Sequence, residues 1–496
     1  MSRPAHEHYD VVVIGAGMSG LAAGIRLAMF GKRVVILERH NAAGGLNSFY
    51  FKEGRKHDVG LHAMTNFVPP GPRAKGAPLT KLLRQLRLTR EDFDLSEQKG
   101  SRIAWPGEGL RFTNDFAVLE GEVARVFPLE IDNFRRLDAA VRAAGSEAVA
   151  LDAAPKSARA VIGEFLRDAV LTDMLLLPLM YYGSAQERDM EWGQFCIMWQ
   201  ALFHEGFARP FEGVRRIIRA LTEKYREAGG ERRMQCGVAK LRVKEGRVRE
   251  ILLDDGAVLT AEQVVSSAGL VETLRLCDDQ LAEAGAEAVG RLAFVETITM
   301  FAGQPQALGW DETIVFFNDA ERLTYARPEA LVDPRSGVIC LPNNYRYSGG
   351  RQLPEGILRV TALANYERWM AAAGDAEAYV AEKDRWREVL LAEALKFLPK
   401  VGGPSTPSTS SGQAGSGRSF HDRVTGHDMF TPRTVVHFTG HLAGAIYGAT
   451  RKARDGRTHL ANLFVCGTDQ GFLGITGAML SGITVANAWI LRGGEK

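Results

Sequence analysis

Three glycines near the start of the chain, Gly15, Gly17 and Gly20, have the spacing of a phosphate-binding turn. They follow the apolar run YDVVVIG and open the small-residue segment AGMSGLAAG, so a strand is expected before them and a helix after them. The first glycine permits a tight turn, the second lets the backbone approach a pyrophosphate, and the third allows close helix–strand packing. Glu38 ends the next apolar run, KRVVILE, where a carboxylate can accept hydrogen bonds from a ribose. The pattern predicts dinucleotide binding and favours FAD or NAD over NADP.

A second glycine-rich segment, CGTDQGFLGITGAMLSG, lies near the other end of the chain at 466–482. It predicts a strand, a glycine turn and a helix that begins near Gly474 to Gly477. Such a helix N-terminus stabilises a polar or anionic group, and Asp469 in the turn is an acceptor suited to ribityl hydroxyls. An NAD dehydrogenase does not need this distant half-site, whereas an extended flavin cofactor does. FAD is therefore the favoured cofactor.

Candidates for proton transfer come from two stretches of the chain. In KHDVGLHAMTNF the polar residues His57, Asp58 and His62 alternate with apolar ones, and His62 is the candidate we select. Tyr181 and Tyr182 end the apolar run MLLLPLMYYG and are further candidates. A purely structural role is the alternative for each of these side chains.

The composition excludes several classes of protein. The formal net charge is +2, so no basic field exists to attract nucleic acid. Five cysteines without a Cys-x-x-Cys pair argue against a disulfide framework and a zinc site, and fit a reducing cytoplasm. His437 and His441 in HFTGH lack the glutamate of a zinc-binding helix, so no metal site is expected.

Membrane and secretion signals are also weak. The N-terminus MSRPAHEHYD lacks the apolar segment of a signal peptide. No apolar run is expected to reach the roughly 18 residues of a spanning helix, and the longest candidate is MLLLPLMYYG. We expect a cytoplasmic protein, with peripheral membrane contact as an option.

The predicted fold class is α/β, with two lobes. One is a Rossmann-type FAD-binding domain with a doubly wound parallel sheet, and the other is a mixed sheet-and-helix substrate domain. Between the two glycine-rich motifs, residues 76–230 are expected to be mainly helical with few strands. The period-two pattern after 231 predicts a β-meander. The predicted ranges are 1–75, 215–290 and 430–496 for the FAD-binding domain, 76–214 and 291–429 for the substrate domain, and 402–419 for a flexible loop.

The order of the motifs resembles that of the phytoene desaturase and carotenoid isomerase family, which includes retinol saturase and belongs to the flavin amine-oxidase-like superfamily. The resemblance covers nearly the whole chain and is weakest between about 76 and 230. It rests on the glycine fingerprint and on the stretches ERHNAAGG, HDVGLHAMT, CGVAKLRVKEGRVREILLDDG, VVSSAG, TPRTVVHFTGHLAGAIYG and LFVCGTDQGFLGITGAMLSGITVAN.

The resemblance implies non-covalent FAD held by residues that match the family's motifs. It leaves open whether Asp469 or a backbone group contacts the ribityl chain, because this sequence has Gly467-Thr468-Asp469 where the family often has Gly-Asp. The implied cofactor-binding residues are Gly15, Gly17, Gly20, Glu38 and Arg39 for the ADP half, Gly44, Gly45 and Leu46 by the pyrophosphate and flavin, Val238 by the adenine, and Gly467, Thr468, Asp469, Gly474, Ile475 and Thr476 at the ribityl and ring-carbonyl end.

The resemblance further implies an FAD-dependent oxidoreductase that acts on C–C or C=C bonds of a long apolar polyene, carotenoid-like or lipid chain. Desaturation, saturation and cis–trans isomerisation by hydride exchange with flavin N5 all stay open, with His62 and Tyr182 as catalytic candidates and a quinone or oxygen as electron acceptor. One alternative is a flavin amine oxidase, which predicts two aromatics at the flavin and usually a lysine near N5. The C-terminal segment lacks aromatics between Phe472 and Trp489, which counts against the amine oxidase. A second alternative is a non-catalytic flavin-binding protein.

Overall fold

The computed structural model describes residues 7–144, 155–279, 288–401 and 419–492. The predicted flexible loop at 402–419 lies outside these residues except for Ser419. The described strands, numbered along the chain, are β1 Glu7–Ile14, β2 Val34–Glu38, β3 Phe49–Lys52, β4 Arg55–Asp58, β5 Leu95–Glu97, β6 Ser101–Trp105, β7 Glu108–Phe112, β8 Ala208–Pro210, β9 Glu231–Met234, β10 Val238–Lys244, β11 Arg247–Leu253, β12 Val258–Ser266, β13 Ala293–Phe301, β14 Ile314–Asn318, β15 Val332–Cys340, β16 Gly356–Ala364, β17 Val424–Phe430 and β18 Leu463–Val465.

The described α-helices include three apolar ones, one near each end of the chain and one between them. In chain order the helices are α1 Met18–Ala28, α2 Pro78–Gln85, α3 Phe116–Val126, α4 Ile131–Ala144, α5 Ala158–Gly163, α6 Ala169–Tyr181, α7 Trp192–Trp199, α8 Val214–Glu227, α9 Leu270–Leu276, α10 Tyr366–Ala372, α11 Ala376–Lys396, α12 Pro432–Thr439 and α13 Gly474–Val485.

The first sheet has seven strands in the order β10-β11-β12-β1-β2-β9, with β18 pairing with β12. β1 runs parallel to β2 and β12, and β18 runs parallel to β12, so the two ends of the chain meet in one sheet. Alternate residues of β1 face opposite cores. Val11 and Val13 pack with α1, α8 and α13, while Val12 and Ile14 pack with the β10–β11 meander. The predicted βαβ unit and β-meander are confirmed.

The second sheet also has seven strands, in the order β17-β13-β16-β15-β14-β6-β7. Its neighbours are antiparallel except for the parallel pair β14 and β6. One face packs on α6 and α7, and the other packs on α10 and α11. Both sheets draw strands from distant stretches of the chain, as a discontinuous two-lobed α/β fold requires. The boundaries of the two domains stay a prediction.

The expectation that residues 76–230 are mainly helical with few strands is confirmed for the described residues. This region contains α2 to α8 but also β5 to β8, and the β6–β7 hairpin forms one edge of the second sheet. These strands have only three to five residues. The pairing of β6 with β14 joins segments about two hundred residues apart, Arg102 opposite Val315, which period-two patterns cannot reveal.

The expectation that no apolar run reaches the length of a membrane span is wrong at the C-terminus. The helix Gly474–Leu491 has 18 residues and a mean hydropathy of 1.4, and 44% of it is buried. Its many Gly, Ala, Ser and Thr residues make the segment look less apolar in the sequence, and their small size lets the helix pack closely. A Cβ at Gly482 would overlap the carbonyl oxygen of Ser19 in α1, so the two helices cross with their backbones in contact. Most of the run MLLLPLMYYG lies in α6, whose residues from Leu171 to Tyr181 are buried.

Candidate cofactor and active site

A cavity of about 760 Å³ extends from the β1–α1 turn to one face of the second sheet. It brings together candidate residues from both ends of the chain. Gly20 and Thr476 are not on its wall. The candidate residues that line it are Gly15, Gly17, Glu38, Arg39, Gly44, Gly45, Leu46, His62, Tyr182, Val238, Gly467, Thr468, Asp469, Gly474 and Ile475.

The β1–α1 turn forms the near wall of the cavity. Gly15 has a φ of +94°, and a Cβ at Gly20 would overlap the Gly15 carbonyl oxygen, so these two glycines allow the turn and the helix packing. Gly17 is the N-cap of α1, which has no side-chain cap, and a Cβ there would meet only Ser267 Oγ at 4.0 Å. The first turn of α1 therefore presents backbone N–H groups to open space, which suits a phosphate.

Glu38 lies at the end of β2 with its carboxylate held by the backbone. Oε2 accepts a hydrogen bond from the Ala16 amide at 2.7 Å, and Oε1 accepts one from the His40 amide at 2.9 Å. Arg39 is exposed beside it, and Val238 begins β10 on the same stretch of wall. The roles of these residues towards a ribose and an adenine stay predictions.

The glycine turn after β18 forms the far wall. Asp469 is only 2% exposed, and its carboxylate accepts hydrogen bonds from the Ala449 amide at 2.7 Å and the Leu270 amide at 2.5 Å. Lys452 Nζ lies 3.6 Å from Oδ1. Asp469 therefore joins the 447–449 loop and the start of α9 to the C-terminal turn. Its contact with a ribityl chain stays a prediction, since both oxygens already accept backbone bonds.

The helix α13 begins at Gly474, on the wall, again without a side-chain cap. Thr476 is buried behind the wall, 3.4 Å from the Thr65 carbonyl oxygen. Gly44 has a φ of +117° and its amide donates to the Ala16 carbonyl at 2.9 Å, which brings a second glycine loop beside the first.

These walls fit an extended flavin dinucleotide. Two helix N-termini without side-chain caps, those of α1 and α13, open on one cavity, and a carboxylate lies at the end of β2. Glycine backbone, which can approach a ligand closely, lines the space between them.

The inner end of the cavity is lined by aromatic side chains from α6, β13 and the 447–449 loop. Tyr181 donates to the Ser336 carbonyl at 2.9 Å, and the Tyr447 hydroxyl donates to the Tyr181 carbonyl. The Tyr182 hydroxyl is buried without a hydrogen-bond partner among the described residues, and its ring stacks on Phe207 at 5.3 Å. Burial raises the pKa of Tyr182 well above its usual value.

His62 faces this inner end and contacts two residues of the second sheet. Its Nε2 lies 3.3 Å from Glu296 Oε1 and 3.2 Å from Thr361 Oγ1. Glu296 also pairs with Arg359. Burial alone raises the pKa of Glu296, but Arg359 and His62 outweigh it and lower the pKa to about 2.

Sequence reasoning missed Glu296, Arg359 and Thr361, although a signal for the first two was present. β13 reads AFVETITMF and β16 reads GILRVTALA, so each apolar strand carries one charged residue. A charge in an otherwise buried strand is costly unless it is paired, which points to a partner nearby. The identity of that partner was not visible in the pattern.

The segment before His62 is fixed by buried arginines. Arg209 pairs with the Asp58 carboxylate, Arg215 Nη1 lies 3.2 Å from it, and Arg359 Nη2 donates to the Asp58 carbonyl at 3.0 Å. His57 stacks on Tyr50 at 5.0 Å and does not line the cavity. Asp58 and His57 thus shape the segment that carries His62.

The described residues contain no cluster of three or more His, Cys, Asp or Glu that could hold a metal ion. His441 lines the cavity 3.6 Å from Glu272, and His437 makes an edge-to-face contact with Phe438.

Comparison with known proteins gives one family over most of the chain. The family described as flavin containing amine oxidoreductase matches residues 18–490. The chain is 27% identical to a lycopene-forming phytoene desaturase of Pseudescherichia vulneris over 299 residues, which are 53% of this chain and 56% of the relative. It is 23% identical to a chloroplastic prolycopene isomerase of an Oncidium hybrid cultivar over 293 residues, 53% of this chain and 48% of the relative.

A short stretch is more similar to a third relative. Over 56 residues the chain is 52% identical to human all-trans-retinol 13,14-reductase, covering 11% of this chain and 9% of that protein. Except for short matches of this kind, the chain spans about half the length of the curated relatives it matches.

Solved structures share the fold over nearly the whole chain. An oxidoreductase from Methanosarcina mazei aligns with a TM-score of 0.66 at 17% identity, covering 96% of this chain and 99% of that one. A putrescine oxidase aligns with a TM-score of 0.57 at 16% identity, covering 97% and 98%. The predicted α/β flavoprotein fold is confirmed.

Proposed function

Since the chain belongs to the family of flavin containing amine oxidoreductases, whose cofactor is FAD, we propose that it is an oxidoreductase acting on a C–C or C=C bond of a long, mainly apolar polyene or lipid chain. Desaturation, saturation and isomerisation are the three reactions proposed. The relatives named as phytoene desaturase, prolycopene isomerase and retinol reductase support a polyene substrate.

The observation that carries the proposal is the character of the inner end of the cavity. The ring centroid of Phe294 lies 5.9 Å from that of Tyr181 and 5.6 Å from that of Tyr447, and aliphatic side chains complete the wall. Apolar ligands are held by such surfaces because their burial removes apolar area from water. Val338, Ile446 and Leu473 are the aliphatic members of this wall.

A bound flavin supplies hydride exchange at N5. The residues of the chain would hold and orient the reactants around that chemistry. The N-termini of α1 and α13 and the carboxylate of Glu38 would hold the cofactor. The aromatic wall would align an apolar chain and exclude water. His62 would accept or return a proton at its cavity side, whereas the raised pKa of Tyr182 keeps that phenol protonated, as a hydrogen-bond donor.

We also propose a quinone or oxygen as electron acceptor, and a cytoplasmic protein that contacts membranes peripherally. Phe438 supports the membrane contact, because it lines the cavity and is nevertheless 50% exposed. Co-sedimentation with liposomes tests this contact, and full recovery in the supernatant at every lipid concentration would exclude it.

A flavin amine oxidase is the alternative. Lys383 on the wall of the cavity is the observation that favours it, because such enzymes usually have a lysine near flavin N5. One of the fold relatives is a putrescine oxidase with bound putrescine, although at 16% identity that likeness concerns the fold.

The test is turnover of defined compounds by the FAD-loaded protein. Phytoene, prolycopene and all-trans-retinol are supplied in liposomes and putrescine in buffer, each with oxygen or a soluble quinone as electron acceptor. The three polyenes are also mixed anaerobically with the photoreduced flavoprotein, because saturation needs a reductant. Products are then read by chromatography and mass. A change of two hydrogens shows desaturation or saturation, and unchanged mass with altered retention shows isomerisation. Oxidation of putrescine alone would replace the polyene proposal with the amine oxidase. A photoreduced flavin that no acceptor or substrate reoxidises would favour the non-catalytic alternative.

A further inference from the structure

We propose that Glu296 is a positioning residue for His62: it fixes the imidazole with the proton on Nε2, so that Nδ1 faces the cavity as a proton acceptor. The proposal rests on the proposed function and assigns one step of it. It concerns the cavity wall formed by the second sheet.

The register of the second sheet places Glu296 against His62. Glu296 in β13 lies directly opposite Thr361 in β16, and Phe294 lies two residues before it on the same face. Residues two apart on a strand share a face, so the aromatic wall and the carboxylate point into the same cavity. Both Glu296 Oε1 and Thr361 Oγ1 then reach the same nitrogen of His62, at 3.3 and 3.2 Å.

The carboxylate cannot rotate away, because a buried arginine holds it. Glu296 is 8% exposed and Arg359 is 2% exposed, and the two side chains pair directly. The other guanidinium nitrogens of Arg359 donate to the Asp58 carbonyl at 3.0 Å and the Leu61 carbonyl at 3.3 Å. Two backbone carbonyls therefore fix the Arg359 guanidinium, and the guanidinium in turn fixes the Glu296 carboxylate.

The backbone of His62 is fixed independently of its ring. Its carbonyl accepts a hydrogen bond from the Tyr345 hydroxyl at 2.9 Å, and Arg209 Nη1 lies 3.4 Å from the same oxygen. Nδ1 of the ring has no hydrogen-bond partner within the described ranges, and the residue lines the cavity. The ring thus has one anchored nitrogen and one that faces the ligand space.

An ionised carboxylate accepts hydrogen bonds and cannot donate them, so a neutral imidazole beside it carries its proton on Nε2. Nδ1 then holds a lone pair. In the assigned step, written for desaturation, a substrate C–H bond breaks, its proton binds Nδ1, and its electron pair forms the new C=C bond as the neighbouring carbon gives up a hydride, for which a bound flavin would be the acceptor. Glu296 stays ionised throughout and stabilises the imidazolium that forms, as a buried carboxylate does for a catalytic histidine elsewhere.

Nitrogen-15 NMR of the FAD-loaded protein, with labelled histidine, tests the proposal without any substrate. The chain has 11 histidines, so His62→Gln identifies the His62 signal by its loss. In the unaltered protein at neutral to mildly alkaline pH, Nε2 is expected to be protonated and Nδ1 unprotonated. Glu296→Gln is expected to shift His62 to a mixture or to the opposite tautomer.

Two control variants separate positioning from general effects. Thr361→Val removes the other contact to Nε2 and is expected to leave the tautomer unchanged. Glu355→Gln breaks another carboxylate–arginine pair, with Arg55 at 2.7 Å, that is more exposed and does not touch His62, and it is also expected to leave the tautomer unchanged.

Three results would overturn the proposal. They are a proton on Nδ1 or on both nitrogens in the unaltered protein, a Glu296→Gln spectrum like that of the unaltered protein, and a tautomer change in Thr361→Val. If Glu296→Gln fails to fold, the first and third results still decide. Once a substrate is known, Glu296→Gln is expected to lower kcat on the order of 10²-fold with KM retained. Absence of turnover would count against the proposed function alone.

Discussion

Replacing Asp469 by alanine should separate a structural role of this carboxylate from a direct role in cofactor binding. The change removes the acceptor of two backbone amides, those of Ala449 and Leu270, and leaves Lys452 buried without its carboxylate. A hydrogen bond to a charged group contributes about 1.5–3 kcal/mol, so two of them contribute roughly 3–6 kcal/mol to the free energy of unfolding. Asp469 is almost fully buried, so solvent screening does not reduce this estimate much.

The assay compares unfolding and FAD affinity for three variants. Asp469→Ala should lower the thermal midpoint of the apoprotein strongly. Asp469→Asn, which keeps one carbonyl acceptor, should lower it by about half as much. Lys452→Met keeps both amide bonds but leaves the buried carboxylate without its cation and removes the 2.6 Å bond to the Tyr447 carbonyl, so it should lower the midpoint by less than Asp469→Ala.

The FAD dissociation constant, followed by flavin fluorescence, gives the second readout. Weaker FAD binding by Asp469→Ala and Asp469→Asn is expected, because the turn that carries Gly467 and Thr468 loses its tether to the 447–449 loop. If the thermal midpoint of the Asp469→Ala apoprotein equals that of the unaltered apoprotein within experimental error, the stabilising contribution assigned to the two hydrogen bonds is refuted. Intact FAD affinity in Asp469→Ala would refute the assignment of this turn to the cofactor site.

Three further outcomes follow from the packing and the charges. Gly482→Ala should destabilise the protein by roughly 1–3 kcal/mol by forcing α13 away from α1, whereas Gly121→Ala in α3, where a Cβ meets no atom within 4 Å, should stabilise it by up to about 1 kcal/mol in urea unfolding. Arg209→Met should cost about 3–5 kcal/mol, since it leaves the buried Asp58 without its main partner; a midpoint unchanged in thermal unfolding would contradict this. The folded-state pKa of Glu296 lies below its ordinary value, so its contribution is fully present above about pH 4.5 and is lost as the pH falls towards 2. Glu296→Gln should therefore flatten acid unfolding in that window, and an unchanged slope would argue against the buried ion pair.

The cofactor half of the site could be predicted because its signals are local. Three signals carry this prediction: the glycine spacing, the apolar runs before the glycines, and Glu38 at a strand end. Each reflects the backbone conformation of residues close together in the chain, and most of these residues line one cavity. The C-terminal helix start at Gly474 could be predicted in the same way. Only the length of the apolar helix that follows was misjudged, because small residues dilute its hydrophobicity.

The fold class, the glycine turn between β1 and α1 and the family could all be predicted from the amino-acid sequence, since these depend on periodicity and on residues close together along the chain. The surroundings of His62, in contrast, depend on tertiary contacts. Glu296 lies 234 residues and Thr361 lies 299 residues from it in the chain. They meet because β13 and β16 pair in one register, and a shift of one residue would turn both side chains to the opposite face. Register is set by the packing of the whole sheet, so no local pattern contains it.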